Sequence, residues 1–119
     1  MYLLSQILVA LIAALHLWFL VLEMFLWTRP LGRRTFGLTP EFAGQTRVLA
    51  ANQGLYNGFL VAGLFWGLWL GRDGHAIQVF FLCCVIVAGL FGGFTANRKI
   101  FFMQALPGLL ALALLLATG

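Results

Sequence analysis

Two side chains in the first apolar stretch of the sequence can exchange a proton. They are His16 and Glu23, which are seven residues apart and therefore lie on one face of a helix. An imidazole and a carboxylate in an apolar segment can form hydrogen bonds, relay a proton or hold the polar head of a ligand. Polar groups are costly at such positions and usually face the protein interior, so they indicate where a site could lie.

Amide side chains form a second group of candidates. Asn52, Gln53, Tyr56 and Asn57 lie in a later apolar stretch, and Gln104 lies in the last one. Spacings of three and four residues place Gln53, Tyr56 and Asn57 on one stripe of a helix, with Asn52 beside it. Because amides both donate and accept hydrogen bonds, this stripe can bind a ligand or join neighbouring helices.

The elements that position these residues follow from composition. Of 119 residues, 63% are hydrophobic and 8% are charged, against about a quarter charged in an ordinary soluble domain. A membrane-spanning helix needs about 20 apolar residues. We therefore expect one domain over residues 1–119, an all-α bundle of four transmembrane helices. The net charge of +4 comes from basic residues at the ends of apolar runs, so nucleic acid is not an expected partner.

The four spans are predicted over residues 3–27, 47–70, 76–95 and 100–117. Ahead of the second span, Thr39-Pro40-Glu41 has the capping hydroxyl, the proline and the early carboxylate of a helix start. Residues 71–74 form a turn by composition. Pro107 lies inside the fourth span, and we expect it to kink that helix.

Basic residues are distributed unevenly among the three connections. The first connection and its flanks hold four arginines, the third holds Arg98 and Lys99, and the second holds only Arg72. The positive-inside rule places the first and third connections in the cytoplasm and both termini outside. The sequence therefore predicts a multi-pass membrane protein whose first loop is cytoplasmic.

Depth along the helices suggests that the polar residues meet. At 1.5 Å per residue from the predicted cytoplasmic ends, Glu23, Gln53 and Gln104 lie roughly 6 to 9 Å into the membrane. On the same scale, His16 and Asn57 lie about 15 to 16 Å in. These shared levels predict one polar cluster near the cytoplasmic leaflet that reaches the midplane.

Each candidate also has a purely structural interpretation. Glu23 could extend to the membrane interface or pair with an arginine. His16 could be a neutral imidazole hydrogen-bonded to a neighbouring helix, and the amides could join helices in the same way. A metal site is not favoured, because carboxylate-bridged bundle sites use Glu-x-x-His pairs on several helices.

Glycines repeat at intervals of four residues, which allows helix backbones to approach closely. The repeats are Gly54 with Gly58, the series Gly63, Gly67 and Gly71, and Gly89 with Gly93. Two small faces on the second helix exceed what one neighbour needs, which favours a homo-oligomer. Packing within a single chain is the alternative.

The run from Leu49 to Gly58, together with residues 23–27 and 36–42, resembles the small bacterial membrane proteins of domain-of-unknown-function family 1304. The resemblance covers essentially the whole chain. It implies the four-helix topology and a bacterial inner (plasma) membrane, and it implies no activity because none is assigned to that family.

The layout is also distantly similar to the MAPEG superfamily, the membrane-associated proteins of eicosanoid and glutathione metabolism. The similarity lies in residues 33–36 and 46–48 and in Arg98 at the end of the third span. It implies a homo-oligomer, as a trimer, with a glutathione site between subunits in the cytoplasmic half. Gly54 and Asn57 stand where that superfamily has Asn and Glu.

Three functions are compatible with these residues. The first is binding of a small amphipathic or lipid-like ligand near the cytoplasmic leaflet, with Arg47 and Arg98 holding its head. The second, implied by the MAPEG resemblance, is a glutathione-dependent transferase or peroxidase. The third is a small transporter or proton relay, and whether the protein is an enzyme stays open. The candidate ligand-binding residues are His16, Glu23, Arg47, Asn52, Gln53, Tyr56, Asn57, Arg98 and Gln104.

Overall fold

A computed structural model describes residues 1–118, and its regular elements are all helical. They are α1 (Tyr2–Met24), α2 (Pro30–Phe36), α3 (Pro40–Trp69), a 3-10 turn (Gly71–Gly74), α4 (His75–Thr95), a π-helical turn (Phe101–Ala105) and α5 (Leu106–Thr118). Four segments are long and apolar enough to cross a membrane, namely α1, α3, the 3-10 turn with α4, and the π turn with α5. The predicted all-α class with four such helices is confirmed.

The first helix is shorter at its carboxyl end than the sequence predicts. It ends at Met24 rather than at residue 27. The Leu26 amide donates to the Val21 carbonyl at 3.2 Å, five residues back, so the chain leaves the regular i to i−4 pattern there. Glu23 is consequently the penultimate residue of α1 and lies closer to the helix end than the predicted depth implies.

The connection between α1 and α3 contains a helix of its own. Helix α2 begins at Pro30, where a proline costs no hydrogen bond, and has Gly37 as its carboxyl cap. Gly37 has a φ of 66°, a left-handed conformation that glycine adopts without steric cost, and its amide donates to the Arg33 carbonyl. The connection is therefore a folded segment.

Helix α3 begins seven residues before the predicted second span. The Thr39 hydroxyl accepts a hydrogen bond from the Phe42 amide at 3.2 Å, and Pro40 is the first helical residue, as the capping motif predicts. A helix of 30 residues is about 45 Å long. This exceeds the hydrocarbon thickness of about 30 Å, so the predicted span is the apolar part of a longer helix.

The proline in the last span is preceded by a π-helical turn. Pro107 has no amide hydrogen to donate to the Met103 carbonyl, and its ring would clash with that carbonyl in a regular helix. The π turn at Phe101–Ala105 lies directly before this point and widens the helix there. We had expected a kink at this proline, and a π turn is one of the known ways to bend a helix.

The described chain forms two compact units. Unit 1 comprises residues 1–13 and the chain from residue 62 onward, and unit 2 comprises residues 14–61. In unit 1 the core includes the fully buried Leu64, Leu82 and Val85. A Cβ atom on Gly89 would lie 2.5 Å from the Ala105 nitrogen, so α4 and the π turn approach closely through this glycine.

Several glycines of α3 likewise contact side chains of the same chain. Gly54 packs against the side chains of Glu23 and Met24 in unit 2, and a Cβ on Gly58 would meet the Leu20 side chain at 3.1 Å. In unit 1, Gly63 packs against the Phe81 ring. These contacts lie within one chain, so they give no support to the predicted homo-oligomer.

Candidate functional site

Unit 1 contains a cavity of about 320 Å³. This volume lies near the lower end of the range for small-molecule pockets, about 300 to 1,000 Å³. Most of the lining side chains are polar, and they come from the start of α1, the 3-10 turn, the start of α4 and the end of α5. The lining residues are Tyr2, Gln6, Gly71, Arg72, His75, Gln78, Leu115 and Thr118.

A pair of glutamines forms one wall of this cavity. Gln78 is fully buried, and its Nε2 atom donates to Gln6 Oε1 at 2.9 Å and to the Gly67 carbonyl at 3.1 Å. Gln6 Nε2 donates in return to Gln78 Oε1 at 3.0 Å. The two amides therefore satisfy each other, which offsets the cost of burying Gln78.

Two glycines position the glutamine pair. A Cβ atom on Gly74 would overlap the Gly67 carbonyl oxygen, so the 3-10 turn can approach the end of α3 only because residue 74 has no side chain. Gly67 itself lies against the Gln78 side chain. This contact places the Gly67 carbonyl where the Gln78 amide can reach it.

Arg72 supplies the formal positive charge of the cavity lining. Its guanidinium carbon lies 3.9 Å from the centroid of the Tyr2 ring, a cation–π contact that holds the side chain against the wall. No aspartate or glutamate belongs to the set of lining residues given above. The electrostatics of this cavity therefore favour an anionic or neutral polar group over a cation.

Seven of the nine predicted ligand-binding residues lie in unit 2. Asn57 Nδ2 donates to Glu23 Oε1 at 2.5 Å, and both residues are partly buried. Asn52 Nδ2 donates to the Tyr56 hydroxyl at 3.1 Å on an exposed face of α3.

His16 is buried, with its ring edge-on to Phe19 at 5.3 Å between centroids. The remaining two residues of this group, Gln53 and Arg47, are exposed.

The other two predicted residues lie in unit 1. Arg98 is exposed between α4 and the π turn, and Gln104 is half-buried within the π turn. None of the nine predicted residues lines the cavity. The structure thus brings Glu23 to Asn57 and Asn52 to Tyr56, and the single polar cluster near the cytoplasmic leaflet stays a prediction. Within residues 1–118 no three His, Cys, Asp or Glu side chains form a group that could hold a metal ion.

The glutamine pair was missed at the level of the sequence, although a signal for it exists. Gln6 and Gln78 are polar residues near the ends of two apolar runs, and the topology prediction puts both of those ends on the same side. Comparison of levels, as applied to His16 and Asn57, would have matched Gln6 with Gln78. His75 and Arg72 then follow as neighbours on the same turn.

The fold and the polar sites define an all-helical protein with four helices that are long and apolar enough to span a membrane. Residues 10–116 match the family described as "Protein of unknown function (DUF1304)". The chain belongs to this family, which confirms the resemblance found in the sequence.

A relative supports the same assignment. The chain is 32% identical over 114 residues to the "Uncharacterized protein YpaA" of Lactococcus lactis subsp. lactis (strain IL1403). The alignment covers 94% of this chain and 96% of the relative. No solved structure matches the chain. The resemblance to the MAPEG superfamily stays a prediction.

Proposed function

We propose that the protein is a multi-pass membrane protein that binds a small amphipathic or lipid-like molecule in the cavity of unit 1. The observation that carries this proposal is the cavity of about 320 Å³ with a hydrogen-bonded glutamine wall and Arg72 at its rim. In this arrangement the polar head of the ligand contacts Arg72 and His75. Its apolar part extends along Leu115.

The chemistry of the lining supports this choice of ligand. Arg72 can form charge-assisted hydrogen bonds with a carboxylate or a phosphate, which are stronger than neutral ones. The N–H groups of Gln6 and Gln78 are used on each other, on the Ser5 hydroxyl and on the Gly67 carbonyl, so the amides keep only acceptor capacity and the anionic head falls to Arg72. A cavity at the ends of apolar helices is accessible to molecules that already reside in a bilayer.

The predicted topology indicates on which side of the membrane the cavity opens. The cavity is lined by Tyr2 near the amino terminus and by Thr118 near the end of the described chain. The arginine distribution supports the placement of both termini outside the cytoplasm. We therefore propose that the head group enters from the outer leaflet of a bacterial inner membrane. The sequence had pointed to the cytoplasmic leaflet instead.

The test uses radiolabelled dodecanoate and tagged protein in nanodiscs of phosphatidylcholine, read by scintillation proximity with empty nanodiscs subtracted. We expect saturable binding to the wild-type protein. Arg72→Gln should weaken binding about tenfold, because a hydrogen bond to a charged group contributes about 1.5 kcal/mol or more. Arg98→Gln is the matched control, since it removes the same charge from an exposed position away from the cavity lining, and it should bind as wild type.

Two outcomes would remove the proposal. One is the lack of saturable binding to the wild-type protein, and the other is an equal loss of affinity in Arg72→Gln and Arg98→Gln. A second variant, Thr118→Phe, fills the cavity without removing charge. It should also weaken dodecanoate binding, and unchanged binding would place the ligand elsewhere.

We also propose that the protein forms a homo-oligomer, through exposed polar residues of α3 and not through the glycine repeats on which the sequence prediction was based. Asn52, Gln53 and Tyr56 are exposed on α3, and a second copy could pair its own amides with them, as polar side chains do between membrane helices. Light scattering of the detergent-solubilised protein should give a mass above that of one chain. Asn52→Leu with Gln53→Leu should lower that mass, and a monomeric wild-type protein would refute the proposal.

A further inference from the structure

The segment between α1 and the apolar part of α3 concentrates the positive charge of the protein. Residues 25–47 contain four of the seven basic residues, Arg29, Arg33, Arg34 and Arg47, and one acidic residue, Glu41. The segment therefore carries a net charge of +3 out of the +4 of the whole chain. We name residues 25–47 the arginine platform.

The arginine platform is a folded structure within unit 2. Trp27 Nε1 donates to Thr46 Oγ1 at 3.0 Å, which ties the beginning of the platform to α3. The Trp27 ring also lies 5.0 Å from the Phe36 ring, between centroids. A Cβ on Gly32 would overlap the Leu26 carbonyl oxygen, so α2 packs closely on the preceding turn. The arginines are consequently presented by a fixed backbone.

Apolar side chains accompany the arginines on this surface. Phe25 is 66% exposed, Phe36 is 40% exposed and Phe42 is 50% exposed. The platform begins directly after Met24, the last residue of an apolar helix long enough to span a membrane. Arginines mixed with exposed aromatic rings at the end of a span are typical of a surface at the boundary between head groups and acyl chains.

Three of the four arginines of the platform are exposed, and the fourth is half-buried. Arg33 Nε is buried, and it has no hydrogen-bond partner among residues 1–118. Arg34 follows it on α2, and Arg29 and Arg47 are exposed. An exposed guanidinium group can donate two parallel N–H bonds to the oxygens of a phosphate, and a bilayer of anionic phospholipids supplies such phosphates.

We propose that the arginine platform binds the phosphate head groups of anionic phospholipids. The fixed backbone presents the guanidinium groups together, and the exposed phenylalanines insert among the acyl chains beside them. This interaction is independent of the cavity in unit 1. The exposed rings and the adjacent apolar span favour a lipid surface over a soluble phosphate compound as the partner.

The experiment uses Trp27 as a reporter inside the platform. Trp18, Trp66 and Trp69 are at least 43% exposed, so they are replaced by Phe to leave Trp27 as the single tryptophan. The protein is reconstituted in phosphatidylcholine with increasing brominated phosphatidylglycerol, which quenches tryptophan on contact. We expect Trp27 to be quenched at mole fractions of brominated phosphatidylglycerol well below those needed for brominated phosphatidylcholine.

Three matched variants identify the source of this preference. Arg33→Gln with Arg34→Gln should lower the preference for phosphatidylglycerol roughly 30-fold, since each arginine near an anionic surface contributes about a fivefold effect. Arg98→Gln with Lys99→Gln removes the same charge from unit 1 and should leave the preference unchanged. Arg33→Lys with Arg34→Lys retains the charge but loses the paired N–H donors of the guanidinium, so it should keep only part of the preference. A wild-type Trp27 spectrum in bromine-free lipid verifies that each variant is folded.

Several results would overturn the proposal. Equal losses in the Arg33/Arg34 and Arg98/Lys99 variants would mean that overall charge, and not the platform, sets the preference. Equal quenching of the wild-type protein by the two brominated lipids would mean that there is no preference to explain. Relief of quenching by millimolar inorganic phosphate at constant ionic strength would assign the site to a soluble phosphate compound.

Discussion

The polar residues of the two units lie in different surroundings. In unit 1, Gln6 and Gln78 are neutral, satisfy each other and form the wall of a cavity. In unit 2, most of the arginines lie on an exposed surface, and Glu23 pairs with Asn57 at the end of α1. Polar residues in an apolar chain can therefore either line a cavity or build a contact surface, according to whether their partners lie within the fold.

This comparison predicts how much the close contacts of each unit contribute to stability. We expect the largest loss of stability from a substitution at Gly74. Gly74→Ala places a Cβ against the Gly67 backbone, and neither backbone can move without disturbing the glutamine pair. We expect the free energy of unfolding, measured by titration with SDS in mixed micelles, to fall by about 3 kcal/mol.

Gly44→Ala is the control for that substitution. Gly44 lies in α3, and a Cβ there would have nothing within 4 Å. Alanine has a higher helix propensity than glycine by about 1 kcal/mol, so Gly44→Ala should leave the protein as stable or slightly more stable. Equal destabilisation by both substitutions would show that the contact between Gly67 and Gly74 has no special role.

The second-largest loss of stability is expected from substitutions in the glutamine pair of unit 1. Gln78→Leu leaves the Gln6 amide facing an apolar side chain, and we expect a loss of about 2 kcal/mol in the free energy of unfolding. The double variant with Gln6→Leu removes both polar groups and should recover part of that loss. Losses that simply add in a double-mutant cycle would mean that the two amides do not interact.

The polar pair of unit 2 should contribute less. Asn57→Leu removes the donor to Glu23. We expect the free energy of unfolding to fall by no more than about 1 kcal/mol, because hydrogen bonds between membrane helices contribute less than this on average. Glu23→Gln retains an oxygen that accepts from Asn57, so its effect should be smaller. A larger loss for Glu23→Gln than for Asn57→Leu would mean that the charge of Glu23 is needed for folding.

The smallest effect on stability is expected on the arginine platform. Arg29→Gln with Arg34→Gln changes two exposed side chains, so the free energy of unfolding in a neutral detergent should change by no more than about 0.5 kcal/mol per substitution. The same SDS titration gives this value. A loss comparable to that of Gln78→Leu would show that these arginines support the fold.

Much of the fold could be predicted from the sequence because it depends on local signals. Apolar runs predicted the four long helices, and Thr39 with Pro40 predicted the start of α3, which a capping hydroxyl and a proline define locally. The end of α1 could not be predicted in this way. Gly32 of α2 lies against the Leu26 carbonyl just beyond that end, and no pattern within the first apolar run indicates this contact.

The candidate sites could be predicted only in part, for a related physical reason. The depth estimate put Glu23 level with Gln53, whereas the side chain that donates to Glu23 is Asn57, one helical turn further along α3. The cavity of unit 1 went unpredicted because four separate elements line it. Their meeting depends on the close approach of Gly74 to Gly67, which no spacing within a single helix reveals.

The most direct test of the proposed cavity is photo-cross-linking with a diazirine analogue of dodecanoate in nanodiscs, followed by mass spectrometry of the labelled peptides. We predict labels on peptides that contain residues 71–78 and 112–118, and we expect excess dodecanoate to displace them. Labels confined to peptides with His16, Glu23 and Asn57 would contradict the proposal and would restore the cluster that the sequence predicted.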